Sequence, residues 1–192
     1  MKSSTPSHQL TYLAPQNFGD TGGRSTALKD YNYETLSKWF FLMDHLDAQS
    51  DYIPYLASYY FGSTQDVSTL YPVLDYLEHV GSQKEGQKWR WLAHAVYLAR
   101  FRINDYDKAL ELAKTLASIE YDDAPNWVKQ MPAFVLSAKG DKKAAYAMLL
   151  EILKTSGKKL HPNEIAAMKA YICNSVLVEE EASTNPLCET VQ

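Results

Sequence analysis

The sequence contains little cysteine and no long apolar run. It has 192 residues, of which two are cysteines. No stretch of about 18 uncharged apolar residues is present, which excludes a membrane-spanning helix. The N-terminal residues also lack the apolar core of a signal peptide. We therefore predict a protein that does not insert into a membrane and that works in the cytoplasm.

The two cysteines lie in different surroundings. Cys173 falls in a predicted helix, and Cys188 falls in a polar tail. We expect two free thiols in a reducing compartment, and a disulfide between them is the alternative.

The excess of one sign of charge over the other is also small. The chain has 19 lysines and arginines against 23 aspartates and glutamates, a formal net charge of −4. Proteins that bind nucleic acid usually carry a concentrated basic face, and this composition is that of an ordinary soluble protein. We therefore expect no nucleic-acid partner.

No signature of catalysis or metal binding is present. The histidines are scattered and form no His-x-x-x-His pair, and Cys173 has no Cys-x-x-Cys partner, so we expect no metal. Asp20, Thr21 and Gly22 have the triplet of retroviral-type aspartic proteases, but those need a β-rich fold, and we interpret these residues as a turn. No Gly-Lys-Ser or Gly-Lys-Thr follows, so a phosphate loop is excluded. We expect no cofactor and no enzymatic activity.

The stretch from Trp89 to Ala117 has the pattern of two amphipathic helices joined by a short turn. Asn104 tolerates the left-handed conformation that ends a helix, and Asp105 can cap the next one. The first helix is apolar almost all round, so neighbours must cover it. The second has an apolar stripe at the helical period, formed by Ala109, Leu112, Ala113, Leu116 and Ala117. These features predict a helical hairpin that packs against further hairpins.

Similar hairpins recur along the chain. Alternate helices start at intervals of roughly 36–38 residues, which is typical of helical-hairpin arrays. We predict about eight helices. They form three hairpins, at residues 51–80, 87–119 and 125–155, with one further helix at each end.

The composition also predicts the domain boundaries. Residues 1–30 are rich in Ser, Thr, Gly and Pro and are expected to be irregular. Residues 31–178 form the helical-repeat domain. Residues 179–192 are acidic and then polar, and we expect a disordered tail.

Two prolines fall inside predicted helices. Pro72 lies in the helix over residues 66–80 and should kink that helix or delay its start. Pro132 lies in the middle of the helix over residues 126–138 and should bend it.

Several residue patterns resemble the tetratricopeptide repeat. The first-helix pattern of that family is matched by Trp89, Leu92, Ala93 and Val96. The start of its second helix is matched by Asp105, Tyr106 and Ala109, and the turn is repeated by Gly140, Asp141 and Ala144. The resemblance covers residues 51–156. It implies an all-α, right-handed α-solenoid of stacked antiparallel helical hairpins, with a groove that is lined by the first helices and binds other proteins.

One mixed face of the helix that begins at Trp89 is the candidate binding site. It combines a cation, an imidazole and aromatic rings on one side of the helix, and arginine and aromatic residues are enriched where interfaces bind tightly. Its residues are Arg90, His94, Tyr97 and Phe101, and on the next first helix Gln130, Phe134 and Ser137 would continue it. The alternative is that Tyr97 and Phe101 belong to the core and that Arg90 is solvated.

We expect a non-catalytic protein–protein interaction module, such as an adaptor, scaffold or assembly subunit, that binds a peptide or helix in its groove. One alternative is a small-ligand-binding helical domain or a helical-toroid enzyme with an aromatic pocket. A second is a structural subunit that self-associates through its end helices. A third is the soluble part of a membrane-associated bacterial assembly, held at the membrane by a partner or by an anchor that is not in this chain.

Overall fold

The computed structural model describes residues 26–157 and 160–189. Within these residues the chain forms about nine helices and no strands. None of these helices is both long and apolar enough to cross a bilayer. Of the N-terminal segment that we expect to be irregular, residues 1–25 lie outside the described part, and Leu28–Asp30 form a single 3₁₀ turn.

The helices follow one another with short connections. Helix α1 is Tyr33–Leu46. Helix α2 is Tyr52–Tyr55 and is continued by a π segment, Leu56–Tyr60, and a 3₁₀ turn, Phe61–Ser63. Helix α3 is Tyr71–Gly81 and is preceded by a 3₁₀ turn, Val67–Leu70. Helices α4 to α6 are Trp89–Tyr97 continued by a π segment Leu98–Ile103, then Tyr106–Ser118, then Met131–Lys139 preceded by a 3₁₀ turn Asn126–Gln130. Helices α7 to α9 are Lys142–Ser156, then Pro162–Tyr171 continued by a π segment Ile172–Val176, then Glu179–Thr184.

Short polar side chains cap three of these helices. The side-chain oxygen of Asn32 accepts a hydrogen bond from the Thr35 amide at 2.9 Å, and that of Asp105 accepts one from the Lys108 amide at 2.9 Å. Asp141 does the same for Ala144 at 3.1 Å. Such caps satisfy amides that have no partner inside the helix. Asn104 takes the left-handed conformation with φ 63°, as the sequence predicts.

Both prolines that fall inside predicted helices stand in the first turn of an α-helix. Pro72 follows a 3₁₀ turn and delays the start of α3, as predicted. The expected bend at Pro132 within one helix is wrong, because a 3₁₀ turn ends at Gln130 and α6 begins at Met131. Proline is tolerated there, since the first amides of a helix lack intrahelical acceptors.

Each helix from α1 to α9 contacts the next one along the chain. One core cluster extends from α1 to α6, and a second joins α6, α7 and α8. The small apolar stripe of α5 lies at the centre of the first cluster, with Ala109, Leu112, Ala113 and Leu116 completely buried. The predicted hairpin of α4 and α5 is thus present, because small side chains on α5 allow close packing.

The C-terminal residues differ from the sequence-based expectation. Glu179–Thr184 form helix α9 instead of a disordered tail, and Cys173 is bonded to Cys188 instead of remaining a free thiol. The chain turns back after α8 and brings the two cysteine Cα atoms to 5.8 Å, within the range of disulfides. Asn185 also donates a hydrogen bond to the Tyr146 hydroxyl at 2.8 Å, which attaches this segment to α7.

Candidate functional site

A continuous row of aromatic rings lies on the surface of α2 and α4. Four successive centroid distances join its members, namely 5.1, 4.4, 5.4 and 5.0 Å. We call this row the aromatic ladder, and its members are Tyr55, Tyr59, His94, Tyr97 and Phe101. Its tyrosines and its phenylalanine are between 49% and 59% exposed. These rings are therefore surface groups that pack on one another and remain open to a partner.

The structure places the predicted stripe of α4 on this surface. Tyr97 and Phe101 are exposed, so the alternative that they belong to the core does not hold. The inward side of the same helix is occupied by the buried residues Ala95 and Val96. Because side chains three and four positions apart share one helix face, the stripe points away from this core.

His94 is the most enclosed member of the ladder. Its ring lies between those of Tyr59 and Tyr97, at 4.4 and 5.4 Å. Burial lowers the pKa of His94, and a hydrogen bond to the Ser58 backbone opposes this effect only in part. We therefore expect an uncharged imidazole at neutral pH, since the ordinary pKa of histidine is already about 6.5.

Arg90 is partly exposed and is paired with a carboxylate. Its Nη2 donates to Oδ2 of Asp51 at 3.2 Å, while Oδ1 of Asp51 accepts from Lys88 Nζ at 3.2 Å and from Trp91 Nε1 at 2.9 Å. Asp51 precedes α2, so this carboxylate ties the start of α2 to the start of α4. Burial raises the pKa of Asp51, but the Trp91 hydrogen bond and the charges of Lys88 and Arg90 outweigh burial and lower it.

We expect Asp51→Asn to lower the free energy of unfolding by about 1 kcal/mol at pH 7, because Lys88 is only 7% exposed and would keep only its hydrogen bond to the Ser50 carbonyl. The value is small because the Asp51 side chain is itself 48% exposed, and water screens its charge. Because its pKa is lowered, the Asp51 carboxylate stabilises the fold at pH values above the ordinary pKa of aspartate. This contribution disappears as pH falls through the lower pKa of the folded state. The difference between wild type and variant, measured by urea denaturation, should therefore shrink below about pH 4.

Asp123→Asn, in the loop between α5 and α6, is the matched control and should change stability by less than about 0.5 kcal/mol. If the difference in the free energy of unfolding between wild type and Asp51→Asn stays constant with pH, the role assigned to the Asp51 charge is wrong.

The predicted continuation of the stripe on α6 is only partly present. Gln130 and Ser137 are buried, with 7% and 9% of their surface exposed. Phe134 is half-buried, and its ring meets that of Tyr171 on α8 edge-on, with centroids 4.8 Å apart. The 3₁₀ turn before α6 changes the helical register, so spacing counted through Gln130 does not identify the exposed face.

Three shallow cavities lie along α2, α4, α6 and α8. The cavity between α2 and α4, of about 290 Å³, includes Tyr59, His94 and Tyr97. These three residues also line the cavity between α4 and α6, of about 420 Å³, which continues to Trp127. Trp127 in turn lines the cavity between α6 and α8, of about 300 Å³, together with Gln130 and Phe134. Neighbouring cavities share lining residues, and we call the surface formed by the three cavities and the aromatic ladder the groove.

Several aromatic residues of the groove are not part of the site predicted from the sequence. Tyr55, Tyr59, Trp127 and Tyr171 were not among the candidates. Tyr55 and Tyr59 stand four residues apart in α2, a spacing that places two rings on one helix face. Trp127 meets Trp89 edge-on with centroids 5.5 Å apart. A ring pair thus joins each neighbouring pair among α2, α4, α6 and α8.

The groove contains no cluster of metal-ligating side chains among the described residues. Across residues 26–157 and 160–189, no three His, Cys, Asp or Glu side chains stand close enough to hold a metal ion. The polar groups of the first two cavities are hydroxyls, one imidazole and arginines. The chain matches no protein-family model, no curated protein and no solved structure. The groove combines exposed aromatic rings with arginines, a composition that is typical of binding surfaces.

Proposed function

We propose that this protein is a non-catalytic interaction module that binds a peptide or helix of another protein in the groove. The proposal is supported chiefly by the aromatic ladder. Tyrosine and arginine are the residues most often found where interface affinity is concentrated. Here several such rings lie side by side, half-exposed, on two packed helices.

We also propose that the hairpins α2–α3, α4–α5 and α6–α7 stack as a short tetratricopeptide-like solenoid. The supporting observation is that ring pairs join α2 to α4, α4 to α6 and α6 to α8. A stack of this kind places the first helix of each hairpin on the same side, and a rigid concave surface loses little entropy when a partner binds.

The disulfide changes the proposed location. Disulfides persist in oxidising compartments and are rare in the cytosol. The Cys173–Cys188 bond therefore favours a location outside the cytoplasm, in contrast to the cytoplasmic location that we expect from the sequence. Labelling of thiols in freshly lysed native cells distinguishes the two locations.

Tyr97→Ala and Phe101→Ala should leave the free energy of unfolding within about 0.5 kcal/mol of wild type, because both side chains are largely exposed. Each should weaken partner binding about tenfold if it acts as an anchor. Partners are captured with the immobilised wild-type chain, identified by mass spectrometry, and their affinity for each variant is measured by calorimetry.

Leu42→Ala on α1 is the matched control, since it removes an equally exposed apolar side chain away from the groove. A partner that binds both groove variants as tightly as wild type uses another surface, and the proposal then fails. If the groove instead binds a small ligand, no captured protein will require Tyr97 for its binding. A metabolite should then remain bound to the wild-type chain through gentle purification and be lost from Tyr97→Ala.

A further inference from the structure

The first two cavities of the groove contain cations and no carboxylate. Arg102 lines the α2–α4 cavity, and Arg90 lines the α4–α6 cavity. Neither cavity includes an aspartate or glutamate among its lining residues. This contrasts with the chain as a whole, which has a formal net charge of −4.

Among the described residues, Arg102 has no carboxylate partner, whereas Arg90 is already paired with Asp51. Arg102 Nη2 donates to the backbone carbonyl of Thr64 at 2.6 Å, a contact that positions the guanidinium without neutralising it. Arg90 donates its Nε to the Gln87 carbonyl and its Nη2 to Asp51. A guanidinium has five N–H donors, so donors of Arg90 remain for a second carboxylate.

Each arginine stands beside an apolar surface. In the α2–α4 cavity this surface is formed by Tyr59, Tyr97 and Leu98. In the α4–α6 cavity it is formed by Trp89, Trp127 and Met131. Each cavity therefore offers one site for a bulky apolar group and one for an anion. The rings of His94 and Tyr97 stand between the two cavities, so the same pair of features is presented twice along the groove.

We propose that the groove binds a linear acidic segment of another protein that carries two bulky apolar side chains, each close to an aspartate or glutamate. This inference rests on the proposed function and specifies its partner. Each apolar side chain would enter one cavity, and the neighbouring carboxylate would pair with Arg102 or Arg90. Charge-assisted hydrogen bonds to guanidinium groups give both strength and orientation.

The third cavity limits the acidic recognition to the first two. Glu164 lines it, and both of its carboxylate oxygens accept hydrogen bonds from Asn126, at 3.2 and 3.0 Å. A carboxylate at this position repels acidic side chains. The acidic residues of the partner should therefore lie over α2 and α4 and should not extend past Trp127.

The test is selection of random peptides displayed on phage against the immobilised, oxidised full chain. We expect enriched sequences to combine Asp or Glu with neighbouring Phe, Trp, Leu or Tyr, and to lose binding to Tyr97→Ala. Enrichment of basic sequences that depend on Tyr97 would overturn the acidic partner and leave the proposed function intact. Failure to select any sequence that depends on Tyr97 would remove the proposed function itself.

The second measurement uses a synthetic copy of the most enriched peptide. Arg102→Gln should weaken its binding about tenfold, since a charged hydrogen bond is lost, and added salt should weaken binding to wild type more than to the variant. Lys114→Gln on α5 removes one charge outside the groove and should leave the affinity unchanged. Equal affinities for Arg102→Gln and wild type, with unchanged melting temperatures, would show that the carboxylate does not bind Arg102.

A labelled single-stranded oligonucleotide, offered under the same conditions, tests the other polyanion that rings and arginines can bind. We expect no Tyr97-dependent binding. If the oligonucleotide binds and displaces the peptide at equal concentration, the groove recognises nucleic acid and the acidic-segment proposal is wrong.

Discussion

Gly81→Ala is expected to lower the free energy of unfolding by about 3 kcal/mol. A Cβ atom at this position would lie 2.3 Å from the backbone nitrogen of Leu92 and 2.4 Å from its Cβ. Neither atom belongs to the end of a flexible side chain, so the methyl group fits only if α3 and α4 move apart. The carbonyl of Gly81 also accepts a hydrogen bond from the Tyr121 hydroxyl at 2.6 Å, and this displacement would strain that bond.

The effect should be measured by urea denaturation at neutral pH. Gly62→Ala is the matched control, because its added Cβ would meet the terminal methyl groups of Leu98 at 3.3 Å and the Ala57 carbonyl oxygen at 3.5 Å, an ordinary contact distance. The end of the Leu98 side chain can shift by a few tenths of an ångström, so we expect this variant to cost less than about 1 kcal/mol. Equal stabilities of the two variants would mean that α3 and α4 do not cross as closely as described.

Gly81→Ala should also affect binding, since α4 carries His94, Tyr97 and Phe101 on its opposite side. Moving α4 away from α3 would displace these rings relative to Tyr59 on α2. We therefore expect weaker binding of any partner that the groove takes, even at temperatures where the variant remains folded.

Removing the disulfide should destabilise the protein by about 3 kcal/mol, the value expected when a cross-link closes a loop of this size. The two cysteines are 15 residues apart in the sequence. In the chain-entropy account, the bond reduces the freedom of the unfolded chain. In the folded chain it holds Asn185 near Tyr146. Both Cys188→Ser and a reducing agent should lower the melting temperature.

The double variant Cys173→Ser, Cys188→Ser provides the control. It should melt at the temperature of the reduced wild type, and a reducing agent should not change its melting. Mass spectrometry after alkylation under native conditions should find no free thiol in the oxidised wild type. Rapid alkylation of both cysteines would show that the disulfide is not formed. A wild-type melting temperature that does not change with the reducing agent would show the same.

Features that depend on neighbours along the chain could be predicted from the sequence. Asn32, Asp105 and Asp141 cap helices because their side chains reach the amide three residues ahead. The buried stripe of α5 follows from the helical period alone. The outward position of Tyr97 and Phe101 could be predicted for the same reason, once the helix containing them was identified.

Features that depend on register or on distant residues could not be predicted in this way. Ser137 is buried although it stands three residues after Phe134 in the same helix, because α6 packs against both α5 and α7 and little of its surface stays exposed. The partner of Arg90 is Asp51, 39 residues earlier in the chain, and no local pattern signals that pair.

The sequence by itself therefore determined most of the helices, several of their caps and the composition of the exposed face of α4, because hydrogen bonds within one or two turns and the helical period control them. It did not determine helix α9 or the start of α6. The tertiary structure decided which rings meet. It placed Tyr59 of α2 beside His94, brought Trp127 to Trp89, and bonded Cys173 to Cys188. These contacts arise from packing between separate helices, where small changes in register and turn geometry select the neighbours.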